Sequence, residues 1–338
     1  MRYKNVFIES MGYVLPQRVV SSEELEAGFS QTLARLGLPK GQIVSLSGVK
    51  ERRWWEPGTK PSTVASMAGK MALEKADVDP KKLDALINTS VSRDYLEPAT
   101  AALSAGQLGV SHDCMVLDVT NACLGFVNGL IVAANMIELG QIKDALVICG
   151  ETPHDGIAKT VQKLAQPDAT TKTFRDNFAS LTLGCGAVAF YLTCEDRSTT
   201  GHRIKGGVYR TATEHNQLCI ANDDFMHSDP AGLLTHGVGL AVETWPFAAK
   251  AFGWGRDSVD EYICHQVSLA HFKHTFTQLD LPIEKAILTF PFLGNVGPAS
   301  LPLTLALGEA QGRIKNGQEL GLFAVGSGLG CIIMAVEW

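Results

Sequence analysis

No C-x-x-C pair occurs among the eight cysteines of this 338-residue sequence, and no Cys/His spacing matches a zinc site. In so long a chain, with no secretory leader, free thiols are expected rather than a disulfide framework. The start, MRYKNVFIES, lacks an apolar core of signal-peptide length and alternates like a strand, so a cytosolic location is expected. Blocks of lysine and arginine are missing too. With 29 basic against 35 acidic residues the net charge is −6, which leaves no electrostatic footprint for nucleic acid. The longest uncharged run, LGLFAVGSGLGCIIMAV (Leu320–Val336), is broken by Gly326, Ser327, Gly328 and Gly330. It reads as two buried strands joined by a tight turn rather than as a membrane span.

What is present describes a compact, loop-rich α/β enzyme: 46% hydrophobic residues, 19% charged residues and 33 glycines spread along the chain. The length admits two domains. Apolar strands are expected at Asp84–Ser90, Cys114–Val119 and Asp144–Gly150. Between the last two, Val127, Leu130, Ile131 and Ala134 recur at helical spacing, with Gly140 as the stop. This alternation implies a parallel sheet with crossover helices. A looser version of the rhythm follows. A strand then a turn is expected over Asp260–Ser268, a helical stretch to Gln278 and a strand at Lys285–Phe290, then a glycine-rich loop, a helix from Ala299 to about Gln311, an Asn316-Gly317 turn and two final strands. The polar segment Cys194–Arg203 marks the boundary between two similar α/β halves, 1–195 and 196–338.

Cys123, in DVTNACLGFVNG, stands where a buried strand has ended and a helix begins. Unpaired backbone N–H groups and the helix dipole stabilise a thiolate at such a position, although most free cysteines are only small buried hydrophobes. His265, in YICHQVS, ends a strand, where open α/β sheets place ligand-contacting groups, yet it could equally be a satisfied core histidine. Asn295, in FLGNVGPAS, is either a site residue or a loop cap. The turn VGSGLG could bring backbone N–H groups to a ligand or simply close a hairpin. It is a poor phosphate loop, because no Lys-Ser/Thr follows it.

In that order, DVTNACLGF, CHQVS, GNVGPAS and GSGLG resemble the thiolase superfamily, specifically condensing enzymes similar to β-ketoacyl-ACP synthase III. GYVLPQRVVSSEEL and SGVKERR extend the resemblance over nearly the whole chain. LINTSVSRDYLEPAT and LTLGCGA look like the OleA type, which joins two fatty acyl-CoA molecules head to head in bacterial hydrocarbon synthesis. The resemblance implies a layered αβαβα thiolase fold and a homodimer. It implies non-decarboxylative Claisen condensation of medium- or long-chain acyl-CoA, with no metal or redox cofactor and with hydrocarbon-pathway enzymes downstream. Cys123 would carry the acyl group, and His265 and Asn295 would donate hydrogen bonds to the second substrate's oxygen. The backbone N–H of Cys123, with one from Gly326-Ser327-Gly328, would form the oxyanion hole. Glu97 stands where decarboxylating priming synthases carry an apolar residue. It would remove the Cα proton in the partner subunit's site, although by composition alone it is a solvated loop glutamate. Cys185, in place of an aspartate, is read as structural. The tryptophan and arginine of priming synthases that contact CoA are absent, with Gln42 and Leu46 near those positions, so the CoA contacts stay open. The rival reading is a priming synthase that uses malonyl-ACP.

Overall fold

The computed structural model describes residues 1–222 and 225–338. Nine strands form one hydrogen-bonded sheet. From one edge they run Glu261–Cys264, Glu319–Gly326, Gly330–Glu337, Arg203–Thr211, Phe7–Val14, Gly186–Thr193, Asp144–Glu151, Ala85–Asn88 and Met115–Asp118. Ala85–Asn88 pairs in parallel with both Met115–Asp118 and Asp144–Glu151, and Glu261–Cys264 pairs in parallel with Glu319–Gly326. These are the expected crossovers, set by short apolar strands alternating with helices. The two final strands, Glu319–Gly326 and Gly330–Glu337, form an antiparallel hairpin.

Side-chain alternation along the strands divides the molecule into layers. Ile87, Val147 and Val188 from one half and Ile263, Leu322 and Met334 from the other share a single core with the helices Gly125–Glu138 and Ser300–Ala310. Their neighbours Leu86, Leu146 and Ala189 face the opposite way, onto Pro61–Lys75 and Thr100–Leu108. Tyr262, Phe323 and Ile333 likewise pack against Pro230–Phe252 and Leu269–Gln278. The result is the layered αβαβα arrangement. Its two central helices are buried between sheet faces, which is why Ser300–Ala310 is apolar nearly all round.

One expected strand is absent. Lys285–Phe290 contributes only an isolated bridge between Ala286 and Tyr262, and a short helix begins at Phe290. The buried Gln266 side chain replaces the ladder: its Oε1 accepts from the Thr289 and Phe290 N–H groups, and its Nε2 donates to the Ile287 carbonyl. Pro291 then has no N–H to offer a neighbouring strand. Among the described residues, no helix is long and apolar enough to cross a membrane. All eight cysteines are unpaired.

Candidate active site

The nucleophile candidate sits on a sharp turn. Ala122 has φ +45°, a left-handed conformation that a β-carbon disfavours, and the Leu124 and Gly125 N–H groups close onto the Asn121 and Ala122 carbonyls. The helix starts at Gly125, so Cys123 precedes its first turn instead of lying within it. His265 follows the last residue of strand Glu261–Cys264, and its N–H still donates to the Phe323 carbonyl at 2.7 Å. Asn295 is fixed by its backbone: its N–H donates to the Thr182 carbonyl at 2.8 Å, and its own carbonyl accepts from the Gly184 N–H at 3.0 Å. A side chain at Gly184 would run into the Leu293 carbonyl. The first glycine in LTLGCGA is therefore required by the close passage of the Asn295 segment. The fully buried Arg52 braces the same stretch, its guanidinium donating to the Leu181 carbonyl at 2.8 Å.

Cys123, His265 and Asn295 all line one cavity of about 150 Å³, with Gly326 and Ser327 beside them. Much of the remaining wall is apolar, including Leu233, Val238, Phe272, Phe276 and Val325. Gly328 lines an adjoining cavity that Ser327 also reaches, so the oxyanion-hole candidates narrow to the Cys123, Gly326 and Ser327 stretch. Among the described residues, neither ring nitrogen of His265 has a protein partner, although both are buried. Asn295 Oδ1 accepts from the Gly297 N–H at 3.0 Å, which fixes the amide's orientation and leaves Nδ2 as the end able to donate to a ligand.

Burial dominates the electrostatics. It pushes the Cys123 thiol up to about 12, reinforced by Cys219 and Glu151 and only partly offset by backbone N–H groups, including that of Ser327. Desolvation thus outweighs the helix terminus, and the expected thiolate is replaced by a neutral thiol. Burial also lowers His265 to about 4, with His271 adding to the effect. The imidazole is neutral and carries one N–H donor, which a substrate oxygen can claim on either side of the ring.

Glu97 does not line this cavity. It is exposed, on a loop whose neighbour Leu96 is 91% exposed. Cys185 is fully buried, 3.8 Å from His154 Nδ1. Sequence reasoning missed Cys219 and His271, both on the cavity wall, and the buried Glu151, whose carboxyl is raised to about 7 by desolvation against the donors that surround it.

Residues 117–205 match 3-oxoacyl-[acyl-carrier-protein (ACP)] synthase III, and residues 249–338 match the C-terminal part of that family. Over 338 residues the chain is 39% identical to an acyl-CoA:acyl-CoA alkyltransferase of Xanthomonas campestris pv. campestris, covering 100% of both chains. A crystal structure of Xanthomonas campestris OleA superposes with a TM-score of 0.98 at 39% identity, over 100% of this chain and 98% of that one. The chain belongs to the OleA branch of the 3-oxoacyl-ACP synthase III family. A second acyl-CoA:acyl-CoA alkyltransferase, from Shewanella oneidensis, is 38% identical over 100% of both chains. Another OleA structure, with lauric acid and lauroyl-CoA bound, matches at a TM-score of 0.97 and 39% identity, over 99% of this chain and 100% of that one. Further OleA structures have a glutamate or a histidine replaced.

Proposed function

We propose that the chain is an acyltransferase that joins two medium- or long-chain acyl-CoA thioesters by a Claisen condensation without decarboxylation. The observation that carries this is the convergence of Cys123, His265 and Asn295 on one largely apolar cavity, in a chain that aligns end to end with acyl-CoA:acyl-CoA alkyltransferases.

In the first half-reaction the Cys123 sulfur attacks the thioester carbonyl of one acyl-CoA. The Cys123 and Ser327 N–H groups receive the developing oxyanion, and CoA leaves as its thiol with the proton that Cys123 gives up. In the second, the carbonyl oxygen of another acyl-CoA accepts hydrogen bonds from the neutral His265 ring and from Asn295 Nδ2. These stabilise the enolate left when a carboxylate removes the Cα proton. That carbon attacks the acyl-enzyme, the Cys123 sulfur is expelled, and hydrolysis of the product thioester yields a 2-alkyl-3-oxo acid and CoA. Each step is an acyl or proton transfer with no net redox change.

Glu97 is the proposed base, acting in the site of the partner subunit of a homodimer. Two features support this: it lies outside its own chain's Cys123 cavity, on a loop that exposes Leu96. The test is incubation of the purified protein with a single long-chain acyl-CoA and no malonyl donor. Release of free CoA, with the ketone left after spontaneous decarboxylation of the product, is expected by mass spectrometry. A strict need for malonyl-CoA or malonyl-ACP would move the assignment to the priming synthases.

A further inference from the structure

The segment 91–99 projects from the subunit, yet its base is tied down by buried and half-buried acceptors. Glu151, the last residue of strand Asp144–Glu151, is only 4% exposed. Its Oε1 accepts from the Val91 N–H at 2.7 Å, and its Oε2 accepts from the Ser92 N–H at 3.2 Å and the Ser92 hydroxyl at 2.7 Å. At the other end, Asp118 accepts from the Thr100 and Ala101 N–H groups at 3.0 and 2.8 Å. Between them, Asp94 holds Ser62 through both of its oxygens. Glu151 is the deepest of these anchors. Its carboxyl carbon also lies 3.8 Å from where a Cβ on Gly297 would stand, and the Gly297 N–H is the group that orients the Asn295 amide.

Burying a carboxylate costs several kcal/mol unless donors surround it. An apolar side chain at 151 would serve the core as well, so the purpose lies in the donors it collects; apart from the Cys149 thiol on its own strand, 3.7 Å from Oε1, those belong to the start of the segment that carries Glu97. We infer that Glu151 is a positioning residue for condensation, holding Val91 and Ser92 so that Glu97 is presented in one fixed direction. This rests on the reading of Glu97 given above. A carboxylate is suited to the task because it has two acceptor oxygens for the three donors of that segment. Glutamine, with a single oxygen, would turn an amide N–H toward one of them.

The experiment compares Glu151→Gln, Ser92→Ala and Glu97→Ala in the full-length enzyme. Acylation of Cys123 by one acyl-CoA is followed by intact mass, and condensation by ketone formation. Glu151→Gln should leave acylation within about twofold of wild type but lower condensation by about tenfold to a hundredfold, the scale on which small displacements of a reacting group act, so that acyl-enzyme accumulates. Ser92→Ala should do the same more weakly, and the Glu151→Gln/Ser92→Ala double variant should be no worse than Glu151→Gln. Should Glu151→Gln fail to fold, Ser92→Ala, which removes the hydroxyl donor to Glu151 and keeps the Val91 and Ser92 N–H groups, decides alone by the same split. Equal loss of acylation and condensation, or normal condensation in variants measured beside an inactive Glu97→Ala, overturns the positioning role while leaving Glu97 as the base. Normal condensation by Glu97→Ala itself overturns both.

Discussion

A Cβ placed on Gly326 would lie 3.2 Å from the Cβ of Cys123 and 3.0 Å from the Leu124 side chain. The hairpin that follows Gly326 is thereby pressed against the nucleophile's turn, and the Ser327 N–H favours the charged form of the Cys123 sulfur. Gly326→Ala must push these elements apart. Its acylation rate by acyl-CoA is expected to fall about a hundredfold, the usual cost of one misplaced oxyanion donor, with the melting temperature little changed. Unaltered acylation would show that the Ser327 N–H is not part of the hole.

Cys123→Ala is expected to abolish the acyl adduct, while Cys185→Ala and Cys331→Ala retain it. Cys185 and Cys331 are fully buried core thiols, whereas Cys123 stands on the cavity wall at a helix start. The check is intact mass after exposure to a long-chain acyl-CoA. An adduct on the Cys123→Ala protein would refute the assignment.

The thiol of Cys123, raised to about 12 by burial, sets how the free enzyme meets alkylating agents. Below that value the thiolate fraction grows about tenfold per pH unit. Iodoacetamide labelling of Cys123 should therefore keep accelerating from pH 7 to 10. A plateau near pH 7 would instead reveal an activated thiolate.

His265 supplies a stability signature. Burial depresses its folded value to about 4 from an ordinary 6.5, so on acidification the unfolded chain takes up this proton first. Stability contributed by the neutral ring is complete above pH 6.5 and is lost as pH falls toward 4, by about 3 kcal/mol. Urea unfolding at pH 7 and pH 4.5 should show this loss in wild type and a smaller one in His265→Asn. Equal losses would mean that the ring is not buried neutral.

Much of this architecture was legible in the chain because short apolar strands and helical spacing between residues 84 and 150 leave few alternatives to parallel crossovers. The helix Gly125–Glu138 ends at the expected Gly140 region, and the glycine-broken run near the C-terminus is a hairpin. The strand expected at Lys285–Phe290 was misread because apolar periodicity does not reveal a side chain, Gln266, that can satisfy the backbone in place of a neighbouring strand. Cys123, His265 and Asn295 were visible as residues, but their meeting depends on contacts remote in sequence, such as Asn295 to Thr182. Glu151 escaped notice because a charged residue at a strand end ordinarily faces water, and only the fold shows it enclosed.

The remaining expectation concerns where Glu97 acts, and mixed dimers decide it. A Cys123→Ala chain and a Glu97→Ala chain should each be inactive in condensation as homodimers. Co-expressed with different tags and purified through both, they form a dimer with two unlike sites. If Glu97 serves Cys123 of the partner subunit, one site pairs an intact thiol with an intact carboxylate while the other lacks both, and about half of the wild-type activity returns, one site in two being whole. If Glu97 served its own subunit, every site would lack one group and the dimer would stay inactive. CoA release and ketone formation are the readouts, with acyl-enzyme formation on the Glu97→Ala chain as proof that its Cys123 still works. The exposed Leu96 beside Glu97 and the absence of Glu97 from its own chain's cavity wall both favour recovery. Activity no higher than that of the two mutant homodimers would place the base elsewhere.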